Sequence, residues 1–282
     1  MRIDDALIWA QYTLVNSDSA LLDAQVLLAF VLGKETIYLM TWPERELSSQ
    51  QKIQFEGLIE KRVNGQPVAH LTGVREFWSL PLKVNSSTLI PRPDTEVLVE
   101  IALENIRAKN IDTVDILDLG TGSGAIILAL ASELPNALCI GVDYSEDAVK
   151  LATENRDNLK INNVQIKQSD WFVSVQGPFD IIVSNPPYID AHDKHLQQGD
   201  VRFEPLTALV ANEQGLSDIR KICEQAKAYL KYEGCLLFEH GFEQGPSVQS
   251  IFQENGFINI RTEQDYAKND RVTLGYLRTP TD

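Results

Sequence analysis

From residue 114 onward the chain alternates short apolar runs with helical segments, and few folds accept that order. The runs fall at 114–119, 138–142, 164–166, 179–183, 235–238, 258–260 and 272–277, with helical patterns at 126–134, 148–159, 216–230 and 247–255. Runs such as Ile181-Ile182-Val183, within Phe179 to Val183, are apolar at successive positions, as strands covered on both faces must be. The pattern specifies an α/β fold with a Rossmann-like, mostly parallel sheet between two layers of helices. In such sheets ligands bind beyond the carboxyl ends of the strands, near the switch in strand order, so the loops after those ends are where chemistry is expected.

The first ninety residues read differently. Residues 3–15 are apolar at helical spacing, and Ser17-Asp18-Ser19 offers N-caps for a helix over 20–32 that Gly33 closes. Ser48 or Ser49 caps a further helix over 51–63, ended by Gly65 and Pro67. From Val68 to Val84 short apolar pieces broken by Gly73 and Pro81 suggest a hairpin linker. A helix over 97–106 follows, capped by Asp94 or Thr95, with Arg92 and Thr95 at the junction where small-molecule clefts tend to form. Arg92 suits a surface ion pair as well as it suits a ligand. The expected division is a helical domain over 1–72, a hairpin linker over 73–90 and an α/β domain over 91–282.

The first strand of the α/β region runs into Asp118-Leu119-Gly120-Thr121-Gly122-Ser123-Gly124-Ala125 and then a helix. Glycines without Cβ let a ligand lie against the backbone at a helix N-terminus, so a nucleotide-like cofactor is expected. With Ala125 as its last small residue the loop also matches the dinucleotide fingerprint, which keeps NAD open. Asp118 favours S-adenosylmethionine, because a carboxylate beside the loop suits an ammonium and a sulfonium better than a pyrophosphate. Asp143, at the end of the next strand, can accept from both ribose hydroxyls of either cofactor. At the third strand end, Asp170 can accept from an adenine amino group while Trp171 packs on the ring or on the core.

Asn185-Pro186-Pro187-Tyr188 directly follows the buried-type strand Phe179 to Ser184. Proline fixes φ and lacks an N–H, so the pair holds the chain rigid and offers acceptors without competing donors. A planar NH2 group needs two acceptors: the Asn185 side-chain oxygen and the Pro186 carbonyl supply them, with the Tyr188 ring packed against the plane. An amide and an exocyclic base amine fit equally well, and a plain surface turn is the competing reading.

Charge separates some of these possibilities. The net charge is −15; residues 1–90 carry 10 acids and 8 bases, residues 91–282 carry 30 and 17. No Lys/Arg cluster marks a phosphate-tracking stripe, which disfavours a nucleic-acid enzyme and suits a basic or neutral partner. Acids at the N-terminus and the lack of an apolar stretch near ~18 residues predict a cytoplasmic protein without a membrane span. Cys139, Cys223 and Cys235 are spaced as buried thiols, and His192 and His195 lack the companions of a metal site.

Taken in order, the glycine loop, Asp143 and Asn185-Pro186-Pro187-Tyr188 resemble a class I S-adenosylmethionine-dependent methyltransferase acting on nitrogen. More narrowly, Leu89-Ile90-Pro91-Arg92-Pro93-Asp94-Thr95-Glu96, Ser184-Asn185-Pro186-Pro187-Tyr188-Ile189, Glu204-Pro205-Leu206-Thr207-Ala208-Leu209, Glu239-His240-Gly241 and Asn269-Asp270-Arg271-Val272-Thr273 resemble the HemK/PrmC family. The resemblance spans nearly the whole chain. It departs at Asp94, often Glu in the family, and at Ala267-Lys268, often Gly-Gly. It implies methylation of the glutamine amide in the Gly-Gly-Gln motif of class I peptide-chain release factors, held by a helical N-terminal domain and hairpin. It also implies that Gly120, Thr121, Gly122, Ser123, Gly124, Asp143, Trp171 and Asn185 contact S-adenosylmethionine. Asn185 to Tyr188 then bind the substrate glutamine, with Asn185 and Pro186 as the catalytic acceptors. A monomer without nucleic acid, membrane or metal is expected.

Two alternatives stay open at this point. An adenine-N6 DNA methyltransferase uses the same acceptor geometry but needs a basic groove for its flipped base. A non-catalytic S-adenosylmethionine-binding protein has no use for Asn185-Pro186-Pro187-Tyr188. Glu239-His240 resembles a catalytic pair, for which a structural role near the cleft is the expectation.

Overall fold

A computed structural model of the 282-residue chain describes residues 1–109 and 113–278. The chain divides into two compact units, Met1–Val74 with Gln197–Phe203, and Arg75–Leu196 with the chain from Glu204 onward.

The first unit holds α1 (Ile3–Thr13), α2 (Ala20–Leu32), α3 (Thr36–Thr41), α4 (Ser49–Val63) and α5 (Val68–Thr72). Ile3, Ala6, Ala10, Leu27, Leu28, Phe55 and Ile59 pack into its core. Ser48 caps α4 in a full capping box with Gln51. Ser19 instead turns its hydroxyl to Asp23, which also takes Ser17 and Arg62 at 2.8–2.9 Å. That buried carboxylate, not the helix N-terminus, is what the Ser-Asp-Ser stretch satisfies. The six-residue α3 is too short for its periodicity to stand out in sequence. Val68–Thr72 is a helical turn and not the first piece of the hairpin, which begins at Val74.

The hairpin is β1 (Val74–Phe77) and β2 (Leu80–Lys83). Its two connecting residues, Trp78 and Ser79, both have left-handed φ, at 52° and 61°, as a two-residue hairpin loop requires. After a 3-10 turn at Pro93–Thr95 come α6 (Glu96–Lys109), β3 (Asp115–Leu119), α7 (Ala125–Glu133), β4 (Leu138–Asp143), α8 (Glu146–Leu159), β5 (Val164–Gln168) and β6 (Phe179–Ser184). The chain continues through α9 (Asn212–Gly215), α10 (Ser217–Ala226), β7 (Leu230–Glu239), α11 (Gly245–Glu254), β8 (Ile258–Gln264) and β9 (Asp270–Tyr276).

Seven strands form one sheet in the order β5-β4-β3-β6-β7-β9-β8; β5 to β7 are parallel, and β9 is antiparallel to β7 and β8. Strand alternation divides the interior into two cores. Ile116, Ile181, Val183, Cys235 and Leu237 join α6 and α7 on one face, while Leu117, Ile182, Leu236 and Phe238 join α10 and α11 on the other. The strand order reverses between β3 and β6, so the glycine loop and Asn185 leave neighbouring strand ends. The three cysteines are buried free thiols, which burial pushes up to about 12. Among the described residues no helix is long and apolar enough to cross a membrane.

Candidate active site

A cavity of about 410 Å³ opens at that reversal, within the size range of small-ligand sites. It is lined by Thr95, Gly120, Thr121, Gly122, Ser123, Asp143, Trp171, Asn185 and Pro187 among the residues singled out from sequence. Gly124, Pro186 and Tyr188 do not line it: Gly124 and Pro186 are buried, and Tyr188 is turned to Glu239.

The glycine loop is held from three sides. Asp143 accepts the Gly122 N–H through Oδ2 and the Ser145 N–H through Oδ1, both at 2.9 Å. Burial raises its carboxyl above the usual range, against the pull of these amides. Gly124 opens α7 at φ 85°, and a Cβ there would stand 3.0 Å from Leu128 and 3.3 Å from Ala152. Asn155 on α8 donates to the Ser123 and Lys83 carbonyls at 2.9 and 3.0 Å and accepts the Lys83 N–H at 2.7 Å. One buried amide thus ties the loop to the hairpin. Asn155 escaped the sequence reading, although it falls in phase with Ala148, Leu151 and Ala152 on the buried stripe of α8, where a polar side chain signals an internal partner.

Trp171 has a left-handed φ of 48°, in a turn held by Ser169, whose hydroxyl donates to the Trp171 carbonyl at 2.7 Å and accepts the Ser174 N–H at 2.9 Å. A Cβ on Gly120 would meet the Trp171 ring at 3.6 Å, so the indole lies along the loop. Asp170 also lines the cavity but is paired with Lys221 at 3.0 Å.

Asp118 does not face the cavity. It is fully buried beneath the loop, takes the Thr121 hydroxyl on Oδ2 at 2.6 Å and has no partner for Oδ1. Burial pushes its carboxyl up to about 7, with the Thr121 bond working against the shift and Asp143 adding to it. A cation above the loop would favour the ionised form. The donor set, the aromatic wall, the cavity size and this orphaned carboxylate oxygen therefore fit S-adenosylmethionine.

At the end of β6, Ser184 donates to the Leu119 carbonyl at 2.7 Å and locks the ends of β6 and β3 together. Asn185 Nδ2 donates to Thr95 Oγ1 at 3.3 Å, and the Tyr188 hydroxyl donates to Glu239 Oε1 at 3.3 Å. The Tyr188 carbonyl accepts from Gln244 Nε2 at 3.1 Å, and Ile189 exchanges backbone bonds with Leu209 and Ala211. Arg92 Nη2 meets both oxygens of the buried Glu204 at 2.8 Å, and Glu204 also accepts the Ile90 N–H at 3.0 Å; Arg92 thus forms an ion pair, but with a buried carboxylate and not at the surface. His240 is occupied by Thr273 and the Gly241 carbonyl. The rings of His192 and His195 bond to Asp190 and Asp193.

Residues 5–73 match the family described as "PrmC N-terminal domain", and residues 111–269 match "Methyltransferase domain". A release factor glutamine methyltransferase of Aliivibrio fischeri is 56% identical over 93% of this chain and 92% of its own. One of Escherichia coli is 52% identical over 92% of this chain and 93% of its own. Among solved structures, a methyltransferase from Pyrococcus furiosus superposes with a TM-score of 0.54 at 15% identity, covering 78% of this chain and 98% of that one, a likeness of fold. The fold is that of the class I S-adenosylmethionine-dependent methyltransferases. Half or more of the residues are shared along nearly the full length of such relatives, and the chain belongs to the release factor glutamine methyltransferase family.

Proposed function

We propose that this protein transfers a methyl group from S-adenosylmethionine to the side-chain amide nitrogen of the glutamine in the Gly-Gly-Gln motif of class I peptide-chain release factors. The observation that carries the reading is the meeting of the glycine loop and Asn185 in one cavity, in a chain of this family. Gly120 to Gly124, Asp143, Trp171 and Asn185 are assigned to the cofactor, and Asn185, Pro186, Pro187 and Tyr188 to the substrate amide. S-adenosylmethionine, when bound, supplies a methyl group already activated on sulfonium.

The protein's task is then to place a poor nucleophile. An amide nitrogen has a delocalised lone pair, so holding it in line at ~3–3.5 Å is where rate is gained. Asn185 Nδ2 is engaged by Thr95, which leaves Oδ1 to accept one substrate N–H. The Pro186 carbonyl is assigned the other. Both acceptors strengthen their hold as positive charge develops on nitrogen, and the surplus proton is then lost to solvent, so no strong base is needed. Packing on the plane is what the sequence predicts of the Tyr188 ring, but Tyr188 is turned to Glu239 and secures the loop through its hydroxyl, while Pro187 lines the cavity wall.

Residues 1–72 are assigned to docking of the release factor, with 73–90 as the linker and 91–282 as the transferase domain. The acidity of residues 91–282 favours a basic partner protein over nucleic acid, and a cytoplasmic monomer is the form assigned. The test is incubation with S-adenosylmethionine and a purified class I release factor, followed by mass spectrometry of the Gly-Gly-Gln peptide. Gain of one methyl group on that glutamine, absent when it is replaced, is the expected result. An unmodified peptide overturns the assignment.

A further inference from the structure

Gln244, just ahead of α11, does not line the cavity, yet all of its carboxamide is engaged. Oε1 accepts the Gly241 N–H at 2.8 Å, and Nε2 donates to the Tyr188 carbonyl at 3.1 Å and to the Gln214 carbonyl at 3.0 Å. A side-chain amide has two N–H donors, and here both go to main-chain oxygens of separate segments while the oxygen is tied to a third. Securing the turn at Gly241 uses the oxygen alone. The two donors have another task.

The Gln214 carbonyl belongs to a turn in which Glu213, Gln214 and Gly215 are all left-handed, at φ 54°, 57° and 84°. For Glu and Gln that backbone is strained, and such strain persists only where surrounding contacts over-determine it. What the turn achieves is a close approach: Gly215 lies against the Tyr188 carbonyl with no room for a Cβ between them. The Gln244 NH2 group bonds to a carbonyl on each side of this contact and so holds the two segments together.

Tyr188 is joined to Asn185 through Pro186 and Pro187, whose fixed φ leaves the segment little freedom to absorb a shift at either end. The other end is locked by the bond from Ser184 to the Leu119 carbonyl. Building on the assignment of Asn185 and Pro186 as acceptors for the substrate amide, we infer that Gln244 is a positioning residue: by clasping the Tyr188 carbonyl to the left-handed turn at 213–215 it fixes where the Asn185 oxygen and the Pro186 carbonyl stand. None of its bonds reaches the glycine loop, Asp143 or Trp171, so the clasp acts on the rate of transfer and not on cofactor binding.

The experiment compares wild type with Gln244→Glu, Gln244→Met and Gln249→Ala, measuring kcat and KM on a purified release factor, cofactor Kd, melting temperature and amide hydrogen exchange at Ile189. Gln244→Glu keeps the size and the acceptor for Gly241 but puts oxygen where the two donors were; Gln244→Met keeps the size and loses all three bonds. Both should lower kcat about 10-fold or more and speed exchange at Ile189, with release-factor KM and cofactor Kd within about threefold of wild type. Gln249→Ala removes the 2.7 Å bond from the same helix to Thr262, and should lower the melting temperature while kcat stays within about threefold, which separates positioning from a general loss of stability. Gln244→Glu with the kcat of wild type overturns the inference, as does a loss confined to cofactor Kd, or a kcat that falls as far in Gln249→Ala. Should Gln244→Glu fail to fold, Gln244→Met decides by the same criteria. Asn185→Ala, run alongside, tests the assignment underneath: if it keeps the wild-type rate that assignment fails, whereas a slow Asn185→Ala beside fast Gln244 variants sinks the clasp alone.

Discussion

Gly215→Ala should disable transfer from outside the cavity. Gly215 closes α9 at φ 84°, and a Cβ on it would sit 1.9 Å from the Tyr188 carbonyl oxygen and 2.5 Å from its carbon. Real Cβ contacts below 3.0 Å essentially do not occur, so the two backbones must part by about 1.1 Å, the difference between 3.0 and 1.9. The same Cβ would stand 2.8 Å from Gln244 Nε2, the donor that holds the Tyr188 carbonyl and the Gln214 carbonyl together. No flexible side-chain tip absorbs the clash. The loop carrying Asn185 to Tyr188 has to move.

The costs divide cleanly between stability and rate. A left-handed alanine costs about 1 kcal/mol, and loss of the Gln244 bond about 1 more, which lowers the melting temperature by roughly 4–8 °C. Misplacing a positioned group by about 1 Å costs on the order of 10²-fold in kcat. The cofactor side should feel little, because Gly120 to Ser123, Asp143 and Trp171 stand on the ends of β3, β4 and β5, and Gly215 touches none of them. Initial rates of glutamine methylation at saturating cofactor, calorimetric cofactor Kd and thermal melting separate these effects. A kcat within about threefold of wild type despite a lowered melting temperature would refute the claim that the placement of this loop controls the rate.

Asn185→Ala should lower kcat on the order of 10²-fold, as loss of one transition-state hydrogen bond does, and an unchanged single-turnover rate at saturating cofactor would sink the catalytic assignment. Asn155→Ala leaves two carbonyls and one N–H in the interior without partners, so denaturant unfolding should show a loss of about 3 kcal/mol, and freeing the Ser123 end of the loop should weaken cofactor binding about 10-fold; unaltered stability contradicts this. The Asp118 carboxyl stands at about 7 in the ligand-free fold, above its ordinary value, so its stabilisation is complete below about pH 4 and is lost as pH rises through 7. Asp118→Asn should therefore raise the ligand-free melting temperature at about pH 8 and leave it little changed near pH 4, while weakening the cofactor; a shift of equal size at both pH values is the refuting result.

What could be read from sequence follows from how each feature is encoded. β3, β6 and β7 are buried on both faces, so their apolar runs are continuous, and Gly120 to Gly124 and Asn185 to Tyr188 are contiguous motifs attached to two of them. Their meeting in one cavity follows from the strand-order reversal that the alternating pattern demands. Features built by residues far apart in sequence left no such trace. Asn155 reaches 72 residues back to Lys83 and 32 back to Ser123, and Thr95 meets Asn185 across 90. The Trp78-Ser79 turn contains no glycine or asparagine, so its left-handed residues carried no signal. Asp118 was legible as an acid beside the loop, but its position beneath Thr121 depends on the direction of one side chain at a strand end.

Those long-range partners also explain why the two halves of the site should respond differently to mutation. The glycine loop takes its shape largely from local sequence: glycines at left-handed φ, a helix start, and a carboxylate 21 residues on that collects the Gly122 amide. The loop from Asn185 to Tyr188 has two prolines and no glycine, and its restraints arrive from β3, the 3-10 turn, β7, the N-cap of α11 and the segment around Leu209. An amide nucleophile gains its rate from placement, so a loop gripped from five directions is what the chemistry calls for. It follows that substitutions among those remote partners should reduce kcat while sparing cofactor affinity, and substitutions in the glycine loop should do the reverse.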